Sequence, residues 1–251
     1  MPSRVLSEIP LDGGFRLELA VDDSDPRRPV RQTVRGPRGG DAATIADPAF
    51  AAALLGAMGV PGGVTSAAVL RGEQTNTSIV VGRPDDAELV VKLFRTVQHG
   101  ENPDVELQRV LSQAGADFVP GFAGALEAEW PNPDGAAGRG HLAVAQEFVR
   151  GATDGWVLAT RAAAAGDDFT DRAREVGGVT ARMHAVLADR LPTRSATPDD
   201  IATQAALWRT RFDDAAAAVA SLVTARPAIE AAYATASRMS WPPLQRIHGD
   251  L

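Results

Sequence analysis

The chain contains no cysteine. Disulfides, thiolate metal sites and cysteine nucleophiles are therefore excluded, and the absence fits a reducing compartment. Aromatic residues make up only 5% of the chain, with a single tyrosine. Positive charge is short as well: the formal net charge is −7, and arginine far outnumbers lysine. A face basic enough for nucleic acid or for an anionic membrane surface is not expected. Long apolar runs are also missing. The first residues, Met1 to Leu11, lack a charged segment leading into a sustained apolar one, so no secretory signal is read. No stretch approaches the ~18 apolar residues of a membrane span. The Ala-rich stretch Ala215 to Ala225 is followed by Arg226 and Pro227 and reads as a helix outside the membrane. A cytoplasmic protein is expected. No pair of histidines has metal-ligand spacing, and no Gly-x-Ser-x-Gly elbow occurs.

What is present suffices for a large core: 45% of the 251 residues are hydrophobic. Composition shifts twice along the chain. Residues 1–62 mix short strands with Gly, Pro and Arg; Phe15 to Val21 alternates as a half-buried strand does, and Asp22 to Asp41 is turn-rich. Asp47-Pro48 opens a short helix ending near Gly59. Residues 63–150 are mostly β. Thr65 to Leu70, Ser78 to Val81 and Leu89 to Phe94 read as strands. A helix follows, with Asn102 as N-cap, Pro103 first, Asp104 and Glu106 in the first turn and Leu107, Val110 and Leu111 on its apolar face. Two further strands, near Gly121 to Trp130 and His141 to Val149, flank a long hairpin loop. Residues 151–251 turn helical, with apolar spacing from Phe169 to Leu187. A capping box at Thr197 to Asp200 opens the stripe Ile201, Ala205, Trp208, Phe212, and Pro227 opens a last helix to Arg238.

Five segments carry chemistry. Arg71 to Ser78 is a turn of glycine, amide and hydroxyl residues between two strands. It can present N–H groups and side-chain donors to phosphate oxygens, or it is simply a polar hairpin turn. Lys92 lies in the strand Leu89 to Phe94 and shares a face with Val90 and Phe94. A lysine there can pair with nucleotide phosphates, or can be a solvated strand lysine. Glu106 can brace that lysine, or can serve only the helix dipole. Gln146, Glu147 and Phe148 form an extended hinge whose backbone suits an adenine edge. Ile247-His248-Gly249-Asp250 looks like the start of a phosphotransferase catalytic loop, in which an Asp accepts the proton of the substrate hydroxyl. His184 reads as packed or at a rim, and His99 and His141 as loop or strand-edge residues. Each segment alone has a bland reading; their order and separation fit the sequence of parts that a bilobal kinase requires.

At this point the chain resembles the aminoglycoside-phosphotransferase-like kinases and, within them, the maltokinase branch. The likeness rests on Glu73 to Ser78, Val91 to Arg95, Asn102 to Leu107, Gln146 to Phe148, Gly151 to Trp156 and Gln245 to Leu251, and covers roughly residues 64–251. It implies an α+β, bilobal, protein-kinase-like fold in which residues 1–62 form an N-terminal cap subdomain, residues 63–150 a nucleotide-binding lobe and residues 151–251 the first part of a helical lobe. It implies transfer of phosphate from ATP to maltose, giving maltose 1-phosphate, with Mg2+ as cofactor and its ligands beyond Leu251. Gln74, Thr75, Asn76, Thr77 and Ser78 would then lie over the phosphates, Lys92 on the α and β phosphates with Glu106 bracing it, and Asp250 would be the base. The alternatives are a kinase for another sugar, amino sugar or aminoglycoside, and a non-catalytic module that binds a nucleotide or partner. Residues 1–251 alone are expected to be inactive, since metal charge and positioning supply most of the rate in this chemistry.

Overall fold

The structure, a computed structural model, describes residues 3–37, 39–70, 76–85 and 87–248. Gln74, Thr75 and Asp250 lie outside the described residues. The chain begins with β1 (Arg4–Pro10), β2 (Arg16–Val21) and β3 (Val30–Arg35), then α1 (Asp41–Thr44) and α2 (Pro48–Ala57). There follow β4 (Ser66–Val69), β5 (Asn76–Gly82), β6 (Glu88–Phe94), β7 (Thr96–Val97), α3 (Pro103–Gln113), β8 (Phe122–Pro131) and β9 (Ala137–Glu147). Helices complete it: α4 (Gly155–Ala165), α5 (Thr170–Arg190), α6 (Pro198–Ala218) and α7 (Arg226–Arg238).

Two antiparallel sheets form, one in the order β1-β2-β3-β7 and one in the order β4-β5-β6-β9-β8. β6 is the middle strand of the second sheet, and β7 is an edge of the first. Only Arg95 separates them in sequence, so one stretch of chain serves both sheets. The alternation of β6 explains what it joins. Leu89, Val91 and Leu93 point into a core that also contains Leu17, Leu19 and Val34 of the first sheet and Phe50, Leu54 and Leu55 of α2. Val90, Lys92 and Phe94 point the other way, where Phe94 packs with Val105 of α3 and Val144 of β9.

Local signals set the helix starts. Asp47 accepts from the Ala49 N–H, Asn102 from the Asp104 N–H and Asp154 from the Val157 N–H. Thr197 and Asp200 close a reciprocal capping box, and the Arg194 fork on Asp200 helps hold that carboxyl far below the usual range. Gly166, in the left-handed region at φ 72°, ends α4.

Three expectations need correction. Val30–Arg35, read as part of a turn-rich stretch, is a paired strand with Val30, Gln32 and Val34 inward. The turn residues on either side masked a strand whose stability is non-local. The helix expected through Ala225 ends at Ala218 and gives way to a 3-10 segment, Ala220–Ala225. His141, expected at a strand edge, lies within β9 and is 4% exposed.

The fold divides within α5 into two compact units, one ending at Met183 and the other beginning at His184. In the second, Trp208 stacks on Tyr233 at 5.4 Å, and Arg194 and Leu244 exchange backbone hydrogen bonds. No helix among the described residues is long and apolar enough to cross a membrane. In the first unit, Phe50 is fully buried and meets Phe15 edge-on at 5.7 Å. Phe50→Ala is expected to cost about 3–5 kcal/mol. Urea denaturation followed by circular dichroism would check this, and a loss below ~1 kcal/mol would mean the two sheets do not share one packed core.

Candidate functional site

The face of the second sheet that carries Lys92 is built by register. Ser78 of β5 pairs with Lys92, which pairs with Val144 of β9, which pairs with Ala125 of β8. One row along, Ala68, Val80, Val90, Gln146 and Phe122 stand side by side. α3 packs on the β9 and β8 end of this face. There Gln108 donates to the Gln146 side-chain oxygen at 2.8 Å and to the Pro120 carbonyl at 3.1 Å. Toward β4 the face is more open: Ala68 is exposed, and Val80 and Val90 are half-buried. A flat apolar strip thus lies beside a cationic side chain.

The Lys92 ammonium donates to Asp104 Oδ2 at 2.7 Å, with the lysine side chain 32% and the aspartate 47% exposed. A pair this exposed contributes little to stability, about 0–1 kcal/mol. Its value is directional: it holds the ammonium toward the first turn of α3, on the same face of the sheet as the strip. Lys92 is the only lysine in the chain. Asp104 is one of two acids in the first turn of α3, and Glu106, expected to brace the lysine, is the other.

That turn is tied down from behind. The Asn102 N–H donates to His141 Nδ1 at 3.3 Å, and Asn102 in turn caps Asp104. His141 Nε2 lies 3.4 Å from Arg109 Nη2 and 3.9 Å from Glu101 Oε1. Burial pushes its pKa down; Glu101 and Glu127 oppose that shift, and Arg109 and Arg139 add to it.

The strand residues expected over phosphates divide between two faces. Asn76 and Ser78 share the Lys92 side, and Ser78 is buried. Thr77 pairs with Leu93 and points to the opposite side, where its hydroxyl accepts from Arg95 Nε at 2.8 Å. In the hinge, the Glu147 N–H donates to the Gly121 carbonyl at 2.8 Å and the Phe148 N–H to the Glu88 carbonyl at 3.0 Å. Those two donors are engaged inside the protein. The Glu147 carboxylate also accepts from the Gly121 N–H at 3.3 Å. Downstream, Asp154 caps α4 and Trp156 is 77% exposed. Among the described residues, no three His, Asp or Glu side chains converge as a metal site.

No protein-family profile matches the chain. A glucosamine kinase of Streptacidiphilus jiangxiensis is 32% identical over 210 residues, which cover 74% of this chain and 45% of that enzyme. A solved glucosamine kinase in complex with glucosamine, ADP and inorganic phosphate aligns with all of this chain at a TM-score of 0.69 and 25% identity, using 63% of its own length. A second crystal form of glucosamine kinase aligns at 0.71 and 26% identity, using 62% of its length. The chain thus spans about half of the curated relative and under two thirds of the solved structures. Its similarity is to sugar kinases, and its mixed fold of two antiparallel sheets with helices is shared with them.

The His141 position yields a pH dependence. A histidine whose pKa is lower in the folded state than in the unfolded chain stabilises the fold fully above the unfolded value of about 6.5. That stability is lost as pH falls through the folded value, because the unfolded chain takes up the proton first. Unfolding midpoints are expected to fall from pH 7 to 5, and His141→Asn is expected to flatten that part of the profile. Equal slopes in both proteins would contradict the assignment.

Proposed function

We propose that the chain carries the nucleotide-binding part of an ATP-dependent sugar kinase whose acceptor is an amino sugar of the glucosamine type. The observation that carries this reading is the Lys92–Asp104 pair beside the apolar strip Ala68, Val80 and Val90. It is supported by an alignment that runs the whole length of this chain onto a kinase holding glucosamine, ADP and inorganic phosphate.

In this reading the adenine lies on the strip and meets hinge groups other than the Glu147 and Phe148 N–H donors. Lys92 exchanges Asp104 for phosphate oxygens, or bridges both, with Glu106 as the other acid of that turn able to steady it. Gln74 and Thr75, together with Asn76 and Ser78 on the Lys92 face, border the phosphates. Asp250 takes the proton of the acceptor hydroxyl as its oxygen bonds to the γ-phosphorus and the bond to the ADP oxygen breaks. Magnesium supplies charge neutralisation in reactions of this type. The chain's own contribution in this reading is to bind and orient the donor and to supply Asp250 as the base.

Maltose is the acceptor favoured by the sequence motifs, and the relatives named for an amino sugar favour glucosamine. A panel of sugars offered to the protein of the complete reading frame decides between them. Glucosamine is expected to show a kcat/KM at least tenfold above maltose, and the reverse order would restore the maltose assignment.

Nucleotide binding can be tested on these 251 residues alone. With a single lysine, an acyl-phosphate derivative of ATP has one side-chain amine to acylate. Mass spectrometry is expected to find the acyl group on Lys92 and to find that excess ADP blocks it. Labelling that ADP leaves unchanged would remove the nucleotide from this face.

A further inference from the structure

Arg95 stands at the corner between the two sheets, and its side chain is engaged in three directions. Its Nη1 and Nη2 donate to the two oxygens of Asp41 at 2.7 and 2.8 Å. Its Nε donates to the Thr77 hydroxyl at 2.8 Å, and Nη1 also reaches the Gln32 carbonyl at 3.4 Å. Its backbone carbonyl accepts from the Gln32 N–H at 2.9 Å. Asp41 in turn accepts from the Val34 N–H at 2.6 Å. The arginine side chain is 20% exposed and the aspartate 33%. A forked arginine of this kind fixes geometry as well as charge.

The bracket joins β3 and α1, in the first forty-odd residues, to the first turn of strand in β5. Thr77 lies between Asn76 and Ser78, and those two point to the Lys92 face. Whatever fixes Thr77 on the far side of the strand fixes the pitch and register of its two neighbours on the near side, because side chains alternate. Among the described residues, the other edge of β5 pairs with β4, a four-residue strand whose register runs from Gly82 to Ile79.

We infer that Arg95 is a positioning residue for nucleotide phosphates: through Asp41 and Thr77, the N-terminal sheet sets where Asn76 and Ser78 stand relative to Lys92. This rests on the nucleotide-binding reading above. The first sheet then has a role beyond packing. It determines how well the phosphate end of the ligand is held, and it leaves the adenine end, on Ala68, Val80 and Val90, untouched.

The test compares ADP with adenosine by calorimetry on the 251-residue chain and on Thr77→Val, Asp41→Asn and Arg95→Lys. Thr77→Val keeps the side-chain volume, removes only the hydroxyl and lies on the face away from the ligand. It remains informative if Asp41→Asn or Arg95→Lys fails to fold. Each folded variant is expected to bind ADP about tenfold more weakly, the scale of one lost hydrogen bond to a charged group, with adenosine unchanged. Folded variants that keep the wild-type preference for ADP would overturn the inference and leave the nucleotide-binding reading intact. So would an equal loss for both ligands alongside a lowered melting temperature, since a purely structural brace acts that way. A wild-type chain that does not prefer ADP to adenosine would overturn the nucleotide-binding reading itself, and the inference with it.

Discussion

The strand that carries Lys92 belongs to a stretch of chain that must satisfy two sheets at once. Glu88–Phe94 is hydrogen-bonded on both edges in the centre of one sheet, and after the single residue Arg95 the backbone pairs with β3 at the edge of the other. A strand so held has no freedom of register. Slipping it by one residue would turn Leu89, Val91 and Leu93 out of the core and bring the lysine in, which costs far more than a surface ion pair returns. The position of the ammonium is therefore set by apolar burial behind the sheet. Asp104 then needs only to orient it.

The same dependence extends to α3. The helix lies on the Lys92 face because Val105 is buried there against Phe94 and Val144, and its first turn is fixed by Asn102 against the His141 imidazole. The acid and the base of the pair come from elements that are anchored separately, one by strand register and one by a helix cap. That arrangement tolerates an exchange of partners. An exposed ion pair between two fixed supports can open toward a third charged group with little cost to the fold.

Much of this organisation is legible in the sequence where it is local. Asp47, Asn102 and Thr197 announce helix starts because a short side chain meets a backbone N–H only a few residues away, and all three do so. The alternation Leu89 to Phe94 gives a strand and correctly separates Val90, Lys92 and Phe94 from Val91 and Leu93. What stays hidden is non-local. β3 lies between proline- and glycine-rich turns and is stabilised by pairing with β2 and β7. Thr77 shows its orientation only once β5 is registered against β6. A first turn with two acids does not give the distance of either from the lysine; helix rotation decides that, and the structure brings Asp104 to 2.7 Å. His141 looks like a polar residue at a strand end until the Asn102 amide is placed over its ring nitrogen.

The division of labour between the cations is the deepest regularity in the chain. It has a single lysine among 25 basic residues. Arginine builds the forks: Arg95 on Asp41, Arg139 on Glu127 and Arg194 on Asp200 each place two nitrogens on two carboxylate oxygens. A planar fork is pre-organised for one partner and loses that advantage if the partner moves. An ammonium is a compact charge with three rotatable donors and no preferred plane, suited to a ligand that arrives, changes its charge distribution and leaves. Arg95 and Lys92, three residues apart on opposite faces of one stretch of chain, show the two chemistries side by side. One fixes the frame. The other stands on the face that α3 covers, at the only position in 251 residues where a lysine occurs.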